Sequence, residues 1–226
     1  MDGRTLFAGD EVSALIVDVG THSVKAGYAG EDTPKAVFPT YIGILDEVAT
    51  YDATVGSGRP GEDEPMGSAA KVRKYYCGVN KLGRRDEMEM VSPLQYGLVH
   101  DMDLLEKLYD HALIERMGMQ PREHPILLTE PSFNTKEIRE KITELFFEKY
   151  DVPAYFVAKE PVCSCFASGR STGLVLDVGG DVATVTPVYD GYVLKKGVFR
   201  SSLAGNRLSD ELLQAVQKKG IEVRNI

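Results

Sequence analysis

The chain has 226 residues, of which 43% are hydrophobic and 27% charged, and its 34 acidic against 26 basic residues give a net charge of −8. This length suits one large domain or one and a half smaller ones, with enough apolar side chains for a buried core. An acidic chain without a basic stripe does not fit direct nucleic-acid binding by counterion release. No apolar run approaches the roughly 20 residues that span a bilayer, and the first residues lack a signal-peptide pattern. We therefore expect an intracellular protein with no membrane partner.

Three short apolar runs predict strands in the first part of the chain. Residues 14–18 (ALIVD) form a nearly continuous apolar run that ends before Gly20, which is typical of a strand buried on both faces. Residues 24–28 alternate in polarity and predict a second strand, so that residues 20–23 become the turn of a hairpin. Residues 36–39 predict a third strand.

Residues 46–73 interrupt this pattern with four glycines and two prolines among acidic and small residues. Such a segment buries too little apolar surface to order itself strongly, so we predict a mobile surface insertion. It is either a partner-binding loop or a solvated insertion.

Helical periodicity returns after this insertion. Apolar residues that share one face predict a helix over 103–117, and a second amphipathic helix begins at a cap on Asn134 or Thr135. Further strands are predicted at 125–129, 154–157 and 174–177, with a helix of small residues at 161–168. Strands that alternate with helices indicate an α/β layered fold.

The three cysteines, Cys77, Cys163 and Cys165, are too few for a disulfide framework. Cys163 and Cys165 form a Cys-x-Cys pair without the second pair that zinc spacing requires. We interpret all three as core thiols, with a redox or metal role as the alternative.

The first strand and turn recur later in the chain. Residues 15–22 (LIVDVGTH) are echoed by residues 174–181 (LVLDVGGD), and in each copy an apolar strand ends in Asp-Val-Gly. The second copy returns along a predicted strand at 182–188. Two such hairpins imply a duplicated architecture.

The residues at both turns suit phosphate and a metal ion. Glycine lets backbone N–H groups approach an anion closely, and a Thr hydroxyl or Lys ammonium adds a donor. The first turn offers Gly20, Thr21 and Lys25, and the second offers Gly179 and Gly180. A carboxylate buried at each strand end needs a charge partner, which a hydrated Mg²⁺ between Asp18 and Asp177 would provide.

These motifs together resemble the actin fold. Residues 18–39 (DVGTHSVKAGYAGEDTPKAVFP) are similar to the first phosphate loop of actin and its continuation. The similarity goes on through residues 124–131 (HPILLTEP), 139–143 (REKIT), 167–173 (ASGRSTG) and 203–205 (LAG). The resemblance implies an α/β, ribonuclease-H-like duplicated fold, with mixed sheets flanked by helices.

The resemblance also implies a division into two lobes. The first actin-like lobe would cover residues 1–153, and residues 154–226 would begin a second, incomplete lobe. Because the later half of this fold completes the second lobe, we expect apolar faces to remain exposed and the isolated chain to be unstable.

Several segments resemble one subclass, the class-four, BAF-type nuclear actin-related proteins. These segments are residues 9–15 (GDEVSAL), 28–32 (YAGED), 90–94 (MVSPL) and 147–156 (FEKYDVPAYF). The subclass implies a nuclear subunit of chromatin-remodelling and histone acetyltransferase complexes, with roles in transcription regulation and DNA repair. Its implied partners are actin, a helicase/SANT-associated helix of a remodeller motor or scaffold subunit, and other chromatin-complex subunits, with the nucleosome contacted only indirectly.

The resemblance carries a nucleotide site onto matching residues of this chain. It implies ATP or ADP with Mg²⁺, the ion being held through water by Asp18 and Asp177. The implied nucleotide-binding residues are Gly20, Thr21, His22, Lys25, Gly179, Gly180, Asp181 and Val182.

Four departures from actin bear on turnover. Where actins place Gln and His to position the attacking water, this chain has Glu160 and Thr184. Glu160 could act as a base or repel a γ-phosphate, and Thr184 handles protons less well than His. His22 replaces a glycine near the phosphates, and Gly180 with Asp181 reverses the Asp-Gly order of actin. These changes predict nucleotide binding without hydrolysis.

The leading hypothesis is thus a nucleotide-binding, non-hydrolysing scaffold subunit. One alternative is an active ATPase or kinase of the same superfold, in which Glu160 orients water or a substrate hydroxyl. Another is a cytoskeletal filament subunit, although residues 46–73 share little with the actin segment that grips the next subunit.

Overall fold

The computed structural model describes residues 13–48, 71–82 and 87–222. Strands and helices alternate along these residues, as predicted for an α/β layered fold. The strands are, in chain order, β1 (Leu15–Val19), β2 (Ser23–Tyr28), β3 (Ala36–Pro39), β4 (Ile42–Val48), β5 (Lys71–Cys77), β6 (Glu89–Val91), β7 (Leu94–Gln95), β8 (Leu98–Val99), β9 (Ile126–Glu130), β10 (Tyr155–Lys159), β11 (Gly173–Val178), β12 (Ala183–Tyr189), β13 (Tyr192–Val193) and β14 (Phe199–Ser201). The helices are α1 (Met102–Tyr109), α2 (Lys136–Glu144), α3 (Glu160–Ala167) and α4 (Gly205–Gln217), with π-helical segments at Asp110–Arg116 and Leu145–Lys149 and 3-10 turns at Pro121–Glu123 and Lys195–Gly197.

A five-stranded sheet with the order β10-β9-β1-β2-β3 carries the first hairpin. Strand β1 runs antiparallel to β2 and parallel to β9, which in turn runs parallel to β10. Leu15 and Val17 of β1 are fully buried, as their apolar run predicts. The same core contains Leu105 and Leu108 of α1 and Phe146 of the π-helical segment after α2.

Two side chains cap the helices that cover this sheet. The carboxylate of Asp101 accepts a hydrogen bond from the Leu104 N–H at 3.0 Å and starts α1. Thr135, one of the two predicted caps, accepts from the Ile138 N–H at 3.2 Å and starts α2. The helix predicted over 103–117 is α-helical at first and continues as a π-helical segment. Within the described ranges, no helix combines the length and apolar character needed to cross a bilayer.

A second sheet contains the later hairpin. It has the order β11-β12-β13, and β14 also pairs with β12. The antiparallel register sets Asp177 opposite Thr184, just as Asp18 lies opposite Lys25 in the first hairpin. The predicted duplication of strand, turn and return strand is therefore confirmed.

Exposed apolar side chains mark the second sheet and α4. On β11, Leu174 and Leu176 are 71% and 68% exposed, and on α4 Leu208 and Leu212 are 58% and 65% exposed. The expectation that apolar faces would remain uncovered is confirmed for these two elements. Surfaces of this kind favour contact with further protein.

The two ends of the insertion predicted over about 46–73 form paired strands. Residues 46–48 lie in β4 and residues 71–73 in β5, and these two strands pair along their whole length. The Arg73 side chain donates a hydrogen bond to the Asp46 carboxylate at 3.0 Å across this pair. A cross-strand ion pair and backbone pairing order these ends although their composition is polar. The mobility predicted for residues 49–70 lies outside the described residues.

The predicted lobe boundary at residues 153 and 154 separates β10 from the sheet that it joins. Residues 155–159 hydrogen bond in parallel with β9, after a crossover through α2. A strand-helix-strand connection of this kind returns the chain to the same sheet. The pairing therefore extends the first sheet to Lys159, and the second sheet begins at Gly173.

Candidate functional site

The two predicted turns have the same local structure. The Gly20 N–H donates to the Ser23 carbonyl at 3.1 Å, and the Gly179 N–H donates to the Val182 carbonyl at 3.0 Å. A Cβ atom added to either glycine would lie 3.3 Å from that same carbonyl oxygen. A side chain at the first position of either turn would therefore crowd the carbonyl group that closes the turn.

The two turns also face one another. A Cβ atom added to Gly180 would lie 3.4 Å from the Cβ of Thr21 and 3.5 Å from the Cβ of His22. The second turn is held from behind by α4, because the Asn206 N–H donates to the Gly180 carbonyl at 2.8 Å. The sequence expectation that the two copies meet at one site is confirmed.

A cavity of about 460 Å³ opens between the hairpins. We call it the inter-turn cavity, and its volume falls in the range of small-molecule sites. It is lined by nearly every residue singled out from the sequence, namely Asp18, Gly20, Thr21, His22, Lys25, Glu160, Asp177, Gly179, Gly180, Val182 and Thr184.

Asp18 is held at the floor of this cavity by two neighbours. The Lys25 ammonium lies 3.1 Å from its Oδ2 atom, and the Thr129 hydroxyl donates to its Oδ1 atom. Thr129 follows the β9 residues that pair with β1, so both side chains emerge at the same end of parallel strands. Thr129 is not among the site residues predicted from the sequence, although its position at the end of an apolar strand was a usable signal.

Asp177 has different surroundings from its counterpart Asp18. The residue opposite it is Thr184, which cannot supply the positive charge that Lys25 supplies in the first hairpin. Within the described residues, no salt bridge to Asp177 is found. The second carboxylate is therefore available to a cation that enters the cavity.

Glu160 brings a third carboxyl group to the cavity from the first turn of α3. Burial, together with the negative charges of Asp18 and Asp177, raises the pKa of Glu160 to about 7, although Lys25 and Lys159 oppose the shift. This pKa means that the group can hold or release a proton near neutral pH. The Lys159 ammonium is bound by the Glu130 carboxylate at 2.6 Å, so it offsets little of the negative charge of Glu160.

Asp181, which the resemblance assigned to the nucleotide, does not line the cavity. Its Oδ2 atom accepts a hydrogen bond from the Tyr96 N–H at 3.2 Å, and its Oδ1 atom accepts one from the Asn206 Nδ2 at 2.7 Å. A Cβ atom added to Gly97 would lie 3.2 Å from the Val182 side chain. Asp181 thus joins the turn between β7 and β8 to the second hairpin.

The core interpretation of the cysteines holds for two of the three. Cys77 and Cys165 are buried, and burial raises the pKa of Cys77 to about 11. Cys163 is half-buried and lines the cavity, where burial also raises the pKa of its thiol. All three thiols are free.

Two side chains that line the cavity can donate a hydrogen bond to an anion. Lys25 offers an ammonium, and the Ser132 hydroxyl lines the cavity buried and without a hydrogen-bond partner. A buried hydroxyl without a partner is costly and suits a ligand that would accept or donate a hydrogen bond there. Among the described residues, no group of three or more His, Cys, Asp or Glu side chains is arranged to hold a metal ion. The water-held Mg²⁺ at Asp18 and Asp177 stays a prediction.

Comparison with known proteins identifies the family. Residues 9–225 match the family described as Actin. The chain is 49% identical to actin-related protein 4 of Arabidopsis thaliana over 97% of its own length and 51% of the relative's. It is 45% identical to actin-related protein 4 of Oryza sativa subsp. japonica, over 97% of the chain and 52% of the relative. It is 38% identical to that of Yarrowia lipolytica, over 96% of the chain and 48% of the relative.

The chain therefore spans about half the length of the curated relatives that it matches. The resemblance noted from the motifs is confirmed, including the likeness to the fourth class of actin-related proteins. The chain belongs to the actin family, as a stretch similar to the N-terminal half of actin-related protein 4.

Proposed function

We propose that this chain is the nucleotide-holding part of a nuclear actin-related scaffold subunit that binds ATP or ADP with Mg²⁺ and does not turn it over. The observation that carries the proposal is the pair of matching glycine turns that face one another across the inter-turn cavity. Each turn follows a strand that ends in a carboxylate, which is an arrangement suited to phosphate and a hydrated cation.

Each part of the cavity has a distinct role in holding the ligand. The turn at Gly20 and Thr21 and the turn at Gly179 and Gly180 would grip the phosphates, with Lys25 as the cationic donor. The bound Mg²⁺-nucleotide would supply a charged link between the two hairpins. A ligand that binds only the native protein at 100 times its dissociation constant stabilises it by about 2.7 kcal/mol.

Two side chains support the proposed absence of turnover. Thr184 lies opposite Asp177 and has no group that exchanges a proton near neutral pH. Glu160 adds negative charge beside Asp18 and Asp177, where a nucleophilic water would have to approach a phosphate that is also negative. Both features favour a nucleotide that stays bound as a structural ligand.

The nuclear part of the proposal rests on the family. The class-four motifs imply membership of chromatin-remodelling and histone acetyltransferase complexes, and the matching relatives are named actin-related protein 4. The exposed apolar residues of β11 and α4 are compatible with an assembly subunit. Co-precipitation of the complete protein with actin and a helical segment of a remodeller scaffold tests these partners, and failure to retain either would contradict this part.

Nucleotide extraction tests the nucleotide part. The complete protein is purified without added nucleotide and denatured, and the released nucleotide is identified and counted by chromatography. We expect close to one nucleotide per molecule, with phosphate release at or below that of actin measured in parallel. Rapid phosphate release would contradict the scaffold proposal, and a protein that neither retains nor binds nucleotide would contradict the site itself.

An active ATPase is the second candidate, because a carboxyl group with a pKa of about 7 is suited to general-base catalysis. In that case Glu160→Gln should abolish phosphate release while nucleotide binding persists. A filament subunit stays the other alternative, which sedimentation with Mg²⁺ and salt tests.

A further inference from the structure

His111 is a buried histidine outside the inter-turn cavity. It lies in the π-helical segment after α1 and is 6% exposed. Its ring packs edge-on against Phe38 of β3, with 4.6 Å between the ring centroids. The Nδ1 atom lies 2.7 Å from the Glu115 carboxylate. Because an ionised carboxylate only accepts hydrogen bonds, Nδ1 carries the proton of the neutral ring and Nε2 is the unprotonated nitrogen.

The Nε2 atom of His111 faces the turn that follows β5. A Cβ atom added to Gly78 would lie 2.6 Å from Nε2, so the glycine backbone lies directly against this nitrogen. Nε2 is buried and has no hydrogen-bond partner among the described residues. A second ring proton would therefore be buried against Gly78 without an acceptor, in a place where a charge is costly.

Glu115 fastens the same turn to the π-helical segment. Lys81, which lies in the turn, binds the Glu115 Oε2 atom at 2.5 Å, and this is the oxygen that His111 also contacts. Hydrogen bonds from Lys81 and His111 hold the pKa of Glu115 below its ordinary value, so the carboxylate is ionised at neutral pH. A protonated His111 would place a second positive charge beside the Lys81 ammonium on one oxygen atom. Repulsion between these like charges would weaken the contact that holds the turn.

The turn of residues 78–82, which we call the 78–82 turn, joins two layers of the fold. The N–H groups of Lys81 and Leu82 donate to the Gly78 carbonyl at 3.0 and 3.2 Å and close it. One side of the turn meets the π-helical segment. On the other side, a Cβ atom added to Gly43 would lie 3.2 Å from the Leu82 side chain, so Leu82 packs against β4. The turn thus connects the sheet of β4, β5 and β6 to the helices that cover the first sheet.

The surroundings of His111 disfavour a second proton on its ring. Burial holds the pKa of His111 below its ordinary value of 6.5, and the hydrogen bond with Glu115 only partly opposes burial. The positive charges of Lys81 and Arg116 act in the same direction as burial. Cys77, which ends β5, adds no charge, because burial raises the pKa of its thiol to about 11. The neutral ring therefore favours the closed turn, and the protonated ring favours an open one.

We propose that His111 is a proton-sensitive switch that releases the 78–82 turn, and with it one end of β5, when the ring takes up a second proton. The switch needs no ligand in the inter-turn cavity, so it is independent of the proposed function. A histidine whose pKa is lowered by the closed turn stabilises that turn fully above pH 6.5. This stabilisation is lost as the pH falls below 6.5 toward the lowered pKa, so the turn opens in acid.

Hydrogen–deuterium exchange of the complete protein at pH 7.5 and pH 5.5 tests the switch in a peptide that covers the 78–82 turn. Protection factors, which divide the intrinsic exchange rate at each pH by the measured rate, remove the direct effect of pH on exchange. We expect the turn to be about tenfold less protected at pH 5.5, because one proton shifts the opening equilibrium by up to a factor of ten per pH unit. A peptide over residues 14–17, which has no ionisable side chain, should keep its protection.

His111→Gln keeps a donor for Glu115 but cannot gain a proton, so its turn should be equally protected at both pH values. His100→Gln is the matched control, because His100 is exposed and lies outside the turn and the π-helical segment. It should keep the tenfold loss. Equal protection of the wild-type turn at both pH values, or a His111→Gln protein that keeps the loss, would overturn the inference.

Lys81→Gln decides the question if thermal melting shows that His111→Gln does not fold. The Lys81 side chain is half-exposed, so this change leaves the core intact. It removes both the contact with Glu115 and the like charge beside His111. We expect lower protection of the turn at pH 7.5 and a smaller further loss at pH 5.5. Protection that matches the wild-type protein at both pH values would contradict the switch.

Discussion

The hydrogen bonds of Asp181 provide a direct test of how the second hairpin is held in place. The Asp181 carboxylate accepts from the Tyr96 N–H at 3.2 Å and from the Asn206 side chain at 2.7 Å. Hydrogen bonds to a charged group contribute about 1.5–3 kcal/mol each, and the low end applies to the solvent-exposed bond from Tyr96. Tyr96 has a φ of +51°, a left-handed conformation that costs energy and needs such support. We expect Asp181→Ala to lower the free energy of unfolding by about 3 kcal/mol.

Urea denaturation of the complete protein, followed by circular dichroism, measures this loss. Asn206→Ala removes one of the two partners, and the double variant with Asp181→Ala completes a thermodynamic cycle. The cycle should give a coupling energy of about 1.5 kcal/mol, because the two side chains share one hydrogen bond to a charged group. Asp32→Ala, which removes an exposed carboxylate elsewhere, should change stability by less than about 0.5 kcal/mol. A stable Asp181→Ala protein, or a coupling energy of zero, would refute this reasoning.

The same variant separates a structural role from ligand binding. Because Asp181 does not line the cavity, Asp181→Ala should weaken nucleotide binding only a few-fold, through a less ordered turn. Asn206→Ala should have a similar but smaller effect. Complete loss of binding at unchanged stability would instead mean that Asp181 is a ligand, as the resemblance implied.

Two further perturbations follow from the contacts on either side of the cavity. Glu130→Gln should lower the free energy of unfolding at pH 7 by about 2 kcal/mol, because the Glu130 carboxylate is buried against Arg139 at 2.8 Å and Lys159 at 2.6 Å. Burial pushes the pKa of Glu130 upward, but hydrogen bonds from Arg139, Lys159 and Asn134 outweigh burial and leave the pKa lowered. The stabilisation by Glu130 is therefore present above pH 4.5, and it is lost as the pH falls through the pKa that Glu130 has in the folded protein. Gly180→Val should weaken nucleotide binding about tenfold, since a Cβ atom there already lies 3.4 Å from the Cβ of Thr21 and further methyl groups would push the turns apart.

Each of these perturbations has its own control. Unfolding of the Glu130→Gln protein should approach wild-type stability in acid, and an equal stability gap at pH 3 and pH 7 would contradict the charge explanation. Gly180→Ala places only an ordinary van der Waals contact against the first turn and should bind nucleotide nearly as well as wild type. Equal binding by the alanine and valine variants would contradict a close approach of the turns.

Local features of the fold could be predicted because local sequence determines them. The buried strand β1 is a continuous apolar run, and Thr135 caps α2 through a residue only three positions away. The sequence of the second hairpin is similar enough to that of the first for its turn and register to be predicted. For these elements, apolar pattern and turn residues point to the same structure.

Contacts between distant residues could not be predicted in the same way. Nothing near Asp181 in the sequence indicates that its partner is the backbone of Tyr96, 85 residues away. The order of residues 46–48 and 71–73 comes from pairing with each other across the intervening segment, which composition does not reveal. The place of β10 in the first sheet likewise depends on its pairing with β9, which nothing in the sequence of β10 itself indicates.

The central claim is that both glycine turns hold one phosphate ligand. Hydrogen–deuterium exchange of the complete protein, with and without Mg²⁺-ADP, measures the protection of backbone amides in peptides that cover residues 20–23 and 179–182. We expect both peptides to become protected together, at the same ADP concentration. Protection of one turn alone, or of neither while ADP is bound, would contradict a shared site.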